Sequence, residues 1–416
     1  MRAAVVAAGL AVVVGATGSA HGAPARGTTE RISVAADGTQ ADGESTGASV
    51  SGDGRFVVFS SAAANLVPGD TNADTDVFLR DLRRGTVQRI GEGGHGASIS
   101  ANGRYVTYRG QTGSAEGHDF YSGYFLYDRR TGRTEVVSLS DDDRPVSGGY
   151  GTGAVMSSDG RYVVFDSPLS ENGDSSERTS FGMYLRDREK GTTRLMSPTV
   201  FESGYWTLGA ATISADGSRI AFSAGQVKPG FEGRVYVYDR RAGKAEVFAK
   251  NYAGQPYTQT SVPTFSADGR YAAFTSSAPD LVPDDTNGTY DAFVRDLRTG
   301  ATRRVSVSAN GGQSAGSWSG AQISGDGRYV AFSSSATDLV AGDTRHGPLF
   351  LRDLRTGVTE RLSVGAGGAE SDDQAMGIAA LSRDASTAVF GSWATNLVPG
   401  DTNGVPDVFV RRVSRK

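Results

Sequence analysis

The segment Ser51-Gly-Asp-Gly-Arg-Phe-Val-Val-Phe59 decides the fold, because versions of it recur along the whole chain. Its seven copies place an aspartate or asparagine at positions 53, 102, 159, 216, 268, 326 and 384. The spacing between copies runs from 49 to 58 residues, which is close to the period of about 50 residues of long propeller repeats. A regular period of this length predicts one repeated structural unit.

Each unit contains four strand signals separated by turn residues. The pair Asp326-Gly327 joins the first two strands of the sixth unit, and Gly357 closes the hairpin between the last two. Both are residue types that reverse a β-chain. The four strands predicted for this unit lie at residues 321–324, 328–333, 349–352 and 359–364.

The ends of the chain complete one another. A sheet with two apolar faces needs a neighbour on each side, and a ring of sheets supplies both. The last unit ends after its third strand, whereas Thr29-Glu-Arg-Ile-Ser-Val34 nearly repeats the fourth-strand text Thr359-Glu-Arg-Leu-Ser-Val364. We therefore predict an all-β fold over residues 28–416: a single seven-bladed β-propeller of four-stranded antiparallel blades, closed by the N-terminal strand completing the last blade.

The Ser-x-Asp-Gly-Arg-aromatic motif resembles the WD-like propeller repeat of the TolB family over nearly all of this region. The resemblance implies the propeller fold, and it is unspecific for function. Gly52, Ala215, Ala267 and Gly325 stand where that family usually has proline, and no N-terminal α/β domain fits before Thr29. The contacts of TolB with an outer-membrane lipoprotein complex are therefore not carried over.

The N-terminus has the pattern of a secretory signal peptide. A basic Arg2 precedes an apolar run over residues 3–14, and small residues follow. We predict that residues 1–23 are a signal peptide, cut between about residues 20 and 25, and that the product is secreted, extracellular or periplasmic, without membrane insertion.

Composition excludes several classes of protein. The chain has no cysteine, which rules out a disulfide framework, a zinc-thiolate site and a thiol enzyme. Its 42 basic and 46 acidic residues give a net charge of −4, so no strong overall field attracts nucleic acid or anionic lipid. We expect a monomer whose partner is a protein, peptide or glycan.

The recurring aspartates are predicted to be structural, because Asp side chains accept hydrogen bonds from turn N–H groups. The same interpretation covers the hairpin aspartates, of which Asp353 is an example. The text Gly43-Glu-Ser45-Thr-Gly47 matches a nucleophile elbow, but it lacks the required strand before it and helix after it. We predict no catalytic residue.

Three loops between the second and third strands of a unit carry oxygen ligands at close spacing. Such side chains favour Ca²⁺, a hard cation that takes six to eight oxygens. The alternative is an Asx-type turn, with the last aspartate leading the next strand. The candidate calcium ligands are Asp70, Asn72, Asp74 and Asp76 in the first loop, Asp285, Asn287 and Asp291 in the second, and Asp401, Asn403 and Asp407 in the third.

Aromatic residues precede the first strands of several units, on loops predicted to share one rim with the calcium candidates. Aromatic side chains on loops of a rigid scaffold are common sites of recognition. We take Tyr205, Trp206 and Trp318 as candidate ligand-binding residues, with covering of the blade ends as the alternative; Tyr150, Tyr252 and Tyr257 are expected to cover blade ends, and Trp393 to pack within a strand end.

The leading functional interpretation is a secreted, non-catalytic binding or scaffold propeller that recognises a protein, peptide or cell-envelope glycan on this rim. The main alternative is an extracellular carbohydrate-active enzyme, a lyase or hydrolase, which needs two acids, or a base and a metal, converging in space. A third interpretation is a structural propeller whose calcium loops only stiffen the rim.

Overall fold

A computed structural model describes most of the repeat region, and it shows the predicted seven-bladed β-propeller. The described residues are 6–7, 27–72, 74–112, 121–147, 153–167, 182–196, 205–227, 232–250, 259–314, 317–342 and 348–414. They form seven antiparallel sheets, six of four strands and one that has a short fifth strand at its edge.

The strands follow the repeat closely. Two short strands precede the first blade: β1 (Val6–Ala7) and β2 (Thr29–Arg31). Blade 1 contains β3 (Ser45–Val50), β4 (Phe56–Ser61), β5 (Asp76–Asp81) and β6 (Thr86–Gly91). Blade 2 contains β7 (His95–Ile99), β8 (Tyr105–Thr112), β9 (Tyr121–Asp128) and β10 (Arg133–Val136). Blade 3 contains β11 (Val155–Met156), β12 (Tyr162–Ser167), β13 (Gly182–Asp187) and β14 (Thr192–Leu195).

The remaining blades repeat the order. Blade 4 contains β15 (Tyr205–Ile213), β16 (Arg219–Val227), β17 (Glu232–Asp239) and β18 (Lys244–Val247). Blade 5 contains β19 (Thr264–Phe265), β20 (Tyr271–Ser276), β21 (Asp291–Asp296) and β22 (Thr302–Arg304). Blade 6 contains β23 (Ser317–Ile323), β24 (Tyr329–Ser334), β25 (Leu349–Asp353) and β26 (Thr359–Arg361). A single 3₁₀ turn (Ala366–Gly368) precedes blade 7, which contains β27 (Ala375–Leu381), β28 (Thr387–Ser392) and β29 (Asp407–Arg412).

The ring closes as predicted. Strand β2 pairs antiparallel with β29, with Thr29 opposite Arg411 and Arg31 opposite Phe409. It is the fourth strand of blade 7. Strand β1, which lies within the predicted signal peptide, pairs with the outer edge of blade 2. No helix in the described part of the chain is long and apolar enough to cross a membrane.

The apolar core lies between neighbouring blades. The aromatic residue that ends each motif copy, a phenylalanine in six copies and Tyr108 in the second, stacks on an aromatic residue of the third strand in every blade. Phe59, for example, stacks on Phe78 with ring centroids 5.8 Å apart. Both rings are fully buried. Because every inner blade face is covered by the next blade, strands two and three read as nearly continuous apolar runs.

The aspartates of the motif are structural, as predicted. In blade 1, Ser51 Oγ donates to Asp53 Oδ1 at 2.5 Å, and the backbone N–H of Arg55 donates to the same oxygen at 3.1 Å. Arg55 then reaches the hairpin aspartate Asp81 through Nε at 3.0 Å and Nη2 at 2.7 Å. These contacts tie the turn between strands one and two to the hairpin between strands three and four. We call the end of the propeller that carries them the hairpin end, and the opposite end the loop end.

Successive turns also bind one another across blade boundaries. Gly52 N donates to Ala101 O at 2.9 Å, and Arg383 N donates to Gly52 O at 2.8 Å, which links blades 7, 1 and 2. Gly54 has φ +70°, and a Cβ there would lie 2.5 Å from Thr387 Oγ1 of blade 7. The turn therefore requires glycine both for its backbone conformation and for the close approach of the neighbouring blade.

Removing residues 1–34 should destabilise the protein far more than removing residues 1–26, because only the longer deletion opens the ring. Thermal unfolding followed by circular dichroism tests this expectation. Equal melting temperatures for the two truncations would contradict closure by β2.

Asp353→Asn should lower the melting temperature at pH 7 by about 1–3 °C, the scale of one partly exposed ion pair in a chain of this size. The hydrogen bonds from Arg328 are the main reason that the pKa of Asp353 lies well below its usual value. Its stabilising effect is therefore present above the unfolded pKa of about 3.9 and is lost as the pH falls below it.

Melting curves of this variant and of the parent are measured at pH 7 and in strong acid. The difference between their melting temperatures should be smaller in acid. Asp373→Asn is the matched control, since the exposed Asp373 accepts a hydrogen bond only from its neighbour Gln374 within the described residues. A difference that stays constant with pH would contradict the charge-based explanation.

Candidate functional site

The loop end is formed by two kinds of connection, as the sequence predicted. The loops between strands two and three contact the segments that lead into the next blade; for example, Gln313 Nε2 donates to Asp285 Oδ1 at 2.8 Å. In blade 1, Ala62 N donates to Glu44 O at 3.0 Å. The candidate calcium loops and the starts of the innermost strands therefore share this end.

The candidate aromatic residues lie in strands, which corrects the loop assignment made from the sequence. Tyr205 and Trp206 begin β15, opposite Val227 and Gln226. Trp318 lies near the start of β23, next to the pair Ser317 and Ser334. An irregular register within each strand lets the pairing extend to the loop end. Only the backbone is described at these three positions.

Three other aromatic residues lie outside the described residues: Tyr150, Tyr252 and Tyr257. Trp393 corrects a second expectation, because it is 44% exposed and not packed. It directly follows β28 at the loop end of blade 7. Met376, which pairs with Gly391 and is 37% exposed, shares its face of the sheet. Both are exposed apolar side chains at the loop end.

The carboxylates of the first candidate calcium loop form ion pairs with an arginine. Nη1 of Arg89 lies 3.0 Å from Asp70 Oδ1 and 2.9 Å from Asp76 Oδ2. Asn72 Nδ2 donates to Asp76 Oδ1 at 3.1 Å, and Asn72 Oδ1 accepts from Asp74 N at 3.2 Å. The side chain of Asp76 is fully buried. The guanidinium supplies the positive charge that two buried carboxylates require.

The second candidate has the same arrangement. Arg304 lies 3.3 Å from Asp285 and 3.5 Å from Asp291. Asn287 Nδ2 donates to Asp291 Oδ2 at 3.0 Å, which repeats the role of the asparagine in blade 1. Gln313 adds a bond to Asp285.

The third candidate repeats it again, using the closing strand. Nη1 of Arg31 in β2 lies 3.2 Å from Asp401 and 3.3 Å from Asp407. Asn403 Nδ2 donates to Asp407 at 3.2 Å, and Gln40 Nε2 donates to Asp401 at 2.9 Å. In all three blades an arginine of the fourth strand joins the two carboxylates. This arginine lies outside the loop sequence, and it was not identified from the sequence.

Burial raises the pKa of one carboxylate in each loop. The pKa of Asp70 is raised by burial and then by the charge of Asp76. The pKa of Asp401 is raised by burial and by Asp407, and that of Asp291 by burial. Within the described ranges, no group of three or more His, Cys, Asp or Glu side chains is placed to hold a metal ion. Calcium binding stays a prediction from the sequence, whereas the arginines of the fourth strands predict loops that are stable without calcium.

Ser45 of the elbow-like text is part of strand β3 and is buried. Its Oγ lies 2.8 Å from Ser61 Oγ. The hydroxyl bridges two strands of blade 1 inside the sheet, which is a structural position and not the exposed tip of a strand-to-helix turn.

A central cavity of about 1050 Å³ runs between the innermost strands of all seven blades and reaches the turns of the hairpin end. Gly-Ala pairs recur in or just before the innermost strands of five blades, and they were missed in the sequence. Gly153, just before β11, shows their role, since a Cβ there would lie 2.5 Å from Gly96 O of the neighbouring blade. The recurrence of Gly-Ala shortly before the Ser-x-Asp-Gly motif was the signal that could have located the channel wall.

Arg89→Gln should lower stability by about 3–5 kcal/mol, because it leaves two buried carboxylates without a counter-charge. We expect the parent protein to melt at the same temperature in calcium and in chelator, since the guanidinium already neutralises Asp70 and Asp76. Differential scanning calorimetry measures both effects. A calcium-dependent rise in the parent that Asp70→Asn abolishes would instead support a calcium site.

Comparison with known proteins supports the fold alone. No protein-family model matches the chain, and no curated protein matches its sequence. The solved structure of oligogalacturonate lyase from Vibrio parahaemolyticus is similar at 16% identity, with a TM-score of 0.54 over 94% of this chain and 99% of that one. An oligogalacturonate lyase in complex with manganese gives the same score and coverage at 14% identity.

The β-propeller domain of the Trilobed protease from Pyrococcus furiosus is similar at 12% identity, with a TM-score of 0.54 over 90% of this chain and 97% of that domain. That propeller is described as having an open velcro topology, whereas blade 7 here is completed by β2. TolB from Acinetobacter baumannii reaches a TM-score of only 0.38 at 14% identity, which carries no argument for family membership.

Proposed function

We propose that this chain is an exported, non-catalytic binding or scaffold propeller that recognises a protein, peptide or cell-envelope glycan at its loop end. The observation that supports this proposal is that aromatic residues of blades 4, 6 and 7 lie at the same end of the ring. Trp393 is 44% exposed there, and Tyr205, Trp206 and Trp318 occupy the starts of innermost strands at the same end. Aromatic side chains supply contact area to peptides and stacking surfaces to sugars.

The geometry of the carboxylates favours binding over catalysis. In the three candidate calcium loops, the two paired carboxylates face an arginine, and their oxygens form ion pairs with it. A general acid or a nucleophile must present its oxygen to a substrate. The neutralised pairs are better suited to holding the loops of this end in place.

Capture experiments test the binding proposal. The immobilised full chain is exposed to envelope extract and to a glycan panel, in calcium and in chelator, and bound species are identified by mass spectrometry. We expect a specific ligand whose retention drops about tenfold or more when Trp206 and Trp318 are both changed to Ala, the effect of losing hot-spot aromatics.

Val358→Ala is the matched control, because Val358 is 62% exposed at the hairpin end. Its loss should leave ligand capture unchanged. Equal retention by the tryptophan variant and the parent would refute the proposed location of the site, and loss of capture in both variants would point to a general effect of apolar surface.

The alternative function is a carbohydrate-active enzyme, and one observation favours it. In each of the three candidate calcium loops, two carboxylates lie on one arginine, and one of the two has a raised pKa, a pattern also found in acid–base pairs. Turnover of a uronate-containing polysaccharide that is lost in Asp70→Asn, with unchanged melting behaviour, would establish this function in place of simple binding.

A further inference from the structure

The net charge of −4 conceals a separation of charge between the two ends of the propeller. All six hairpins between strands three and four lie at the hairpin end, and every one carries an exposed basic residue at its tip. These residues are Arg83, Arg130, Lys190, Arg241, Arg298 and Arg355.

Exposed acidic residues gather at the opposite end. They include Asp37, Asp42, Glu44, Asp74, Asp372 and Asp373 in the loops of blades 1 and 7. The exposed Arg144 is a cation at that end, and it pairs with Asp142 at 2.7 Å. Most exposed cations of the hairpins and most of these exposed acids therefore lie at opposite ends of the propeller.

The motif itself explains why the tip cations stay available. Each hairpin begins with an aspartate, but that carboxylate is taken by the arginine of the motif, as Asp296 is by Arg270 at 2.8 Å. The same carboxylate accepts the tip's backbone N–H, as Asp296 does from Arg298 N at 2.9 Å. Within the described residues, none of the six tip side chains makes an ion pair, because the motif arginines occupy the hairpin carboxylates.

The exposed acids at the hairpin end include the turn aspartates Asp53, Asp159, Asp216, Asp268 and Asp326. Their carboxylates keep their negative charge, which partly offsets the tip cations, and are held by hydrogen bonds within their own turns. Asp268, for instance, accepts from Ser266 Oγ at 2.6 Å and from Arg270 N at 3.0 Å. The exposed Glu189 pairs with Arg161 Nη1 at 2.6 Å. The turn aspartates surround the channel, while the hairpin cations form the ring outside them. Arg383 adds a further exposed cation to the channel mouth.

We propose that the hairpin end is a docking surface for an anionic phospholipid bilayer. Six hairpin tips distributed around a ring, one for each of blades 1–6, can approach a flat surface together, whereas a linear polymer in one groove would reach only some of them. Basic residues near an anionic bilayer each add to binding, and the attraction decays over a Debye length of about 10 Å at 0.1 M salt. Val358, 62% exposed beside the tip of blade 6, adds an apolar contact.

This docking is peripheral and differs from the membrane insertion that the sequence argued against. It places the acidic loop end, with its aromatic residues, on the side facing away from the bilayer, where like charge disfavours approach to the same surface. The proposal does not depend on what the loop end binds.

Vesicle sedimentation of the full chain tests the proposal. We expect binding to vesicles made of equal parts phosphatidylcholine and phosphatidylglycerol, no binding to phosphatidylcholine alone, and loss of binding at high salt. Changing Arg130, Arg241, Arg298 and Arg355 together to Gln should weaken binding by about tenfold or more, since every charge near the surface contributes.

Two control variants keep the full chain of the parent, including its N-terminal segment. The four-fold Arg→Lys variant keeps the charges and should bind like the parent, and Arg144→Gln at the loop end should change nothing. The melting temperature of each variant confirms folding, because the tip side chains make no ion pairs with described residues. Parent-like binding by the Gln variant, equal binding to neutral vesicles, or binding to soluble polyphosphate without binding to anionic vesicles would overturn the proposal.

Discussion

The bond between the motif arginine and the hairpin aspartate is the interaction on which the rest of the structure depends. In blade 1, Arg55 donates two hydrogen bonds from its guanidinium to the carboxylate of Asp81, and its backbone N–H donates to Asp53. A bidentate charge-assisted pair fixes orientation as well as distance. It sets the angle between the two turns of a blade, and backbone bonds such as that from Gly52 to Ala101 then set one blade against the next.

The seventh blade shows what happens where this pair is absent. Ser386 stands at the arginine position and Arg412 at the hairpin position, and Arg412 Nη1 instead donates to Thr387 Oγ1 at 2.7 Å. A weaker bond suffices there because β2 comes from elsewhere in the chain and no hairpin needs to be held.

The repeat allowed the fold to be predicted from the sequence, because period, turn text and the split last blade all depend on local residue order. Partners distant in sequence were not predictable in the same way. Arg31 lies against Asp401 and Asp407, on the far side of the ring closure. The aromatic positions were misplaced because residue order does not mark where an irregular register lets a strand continue. Strands β15 and β23 extend past such an irregularity to the loop end, so Trp206 and Trp318 are strand residues.

Closure by β2 also constrains the order of folding. Arg411 Nη1 donates to Thr29 Oγ1, a contact between residues 382 positions apart. Contacts of such long range form late, because chain entropy must be given up before they stabilise anything. Blades 1–6 can pair strands as soon as each repeat emerges, but the ring stays open until the last repeat is available. During synthesis, β2 must therefore remain unpaired until β29 has been made, and the final step of folding pairs these two strands.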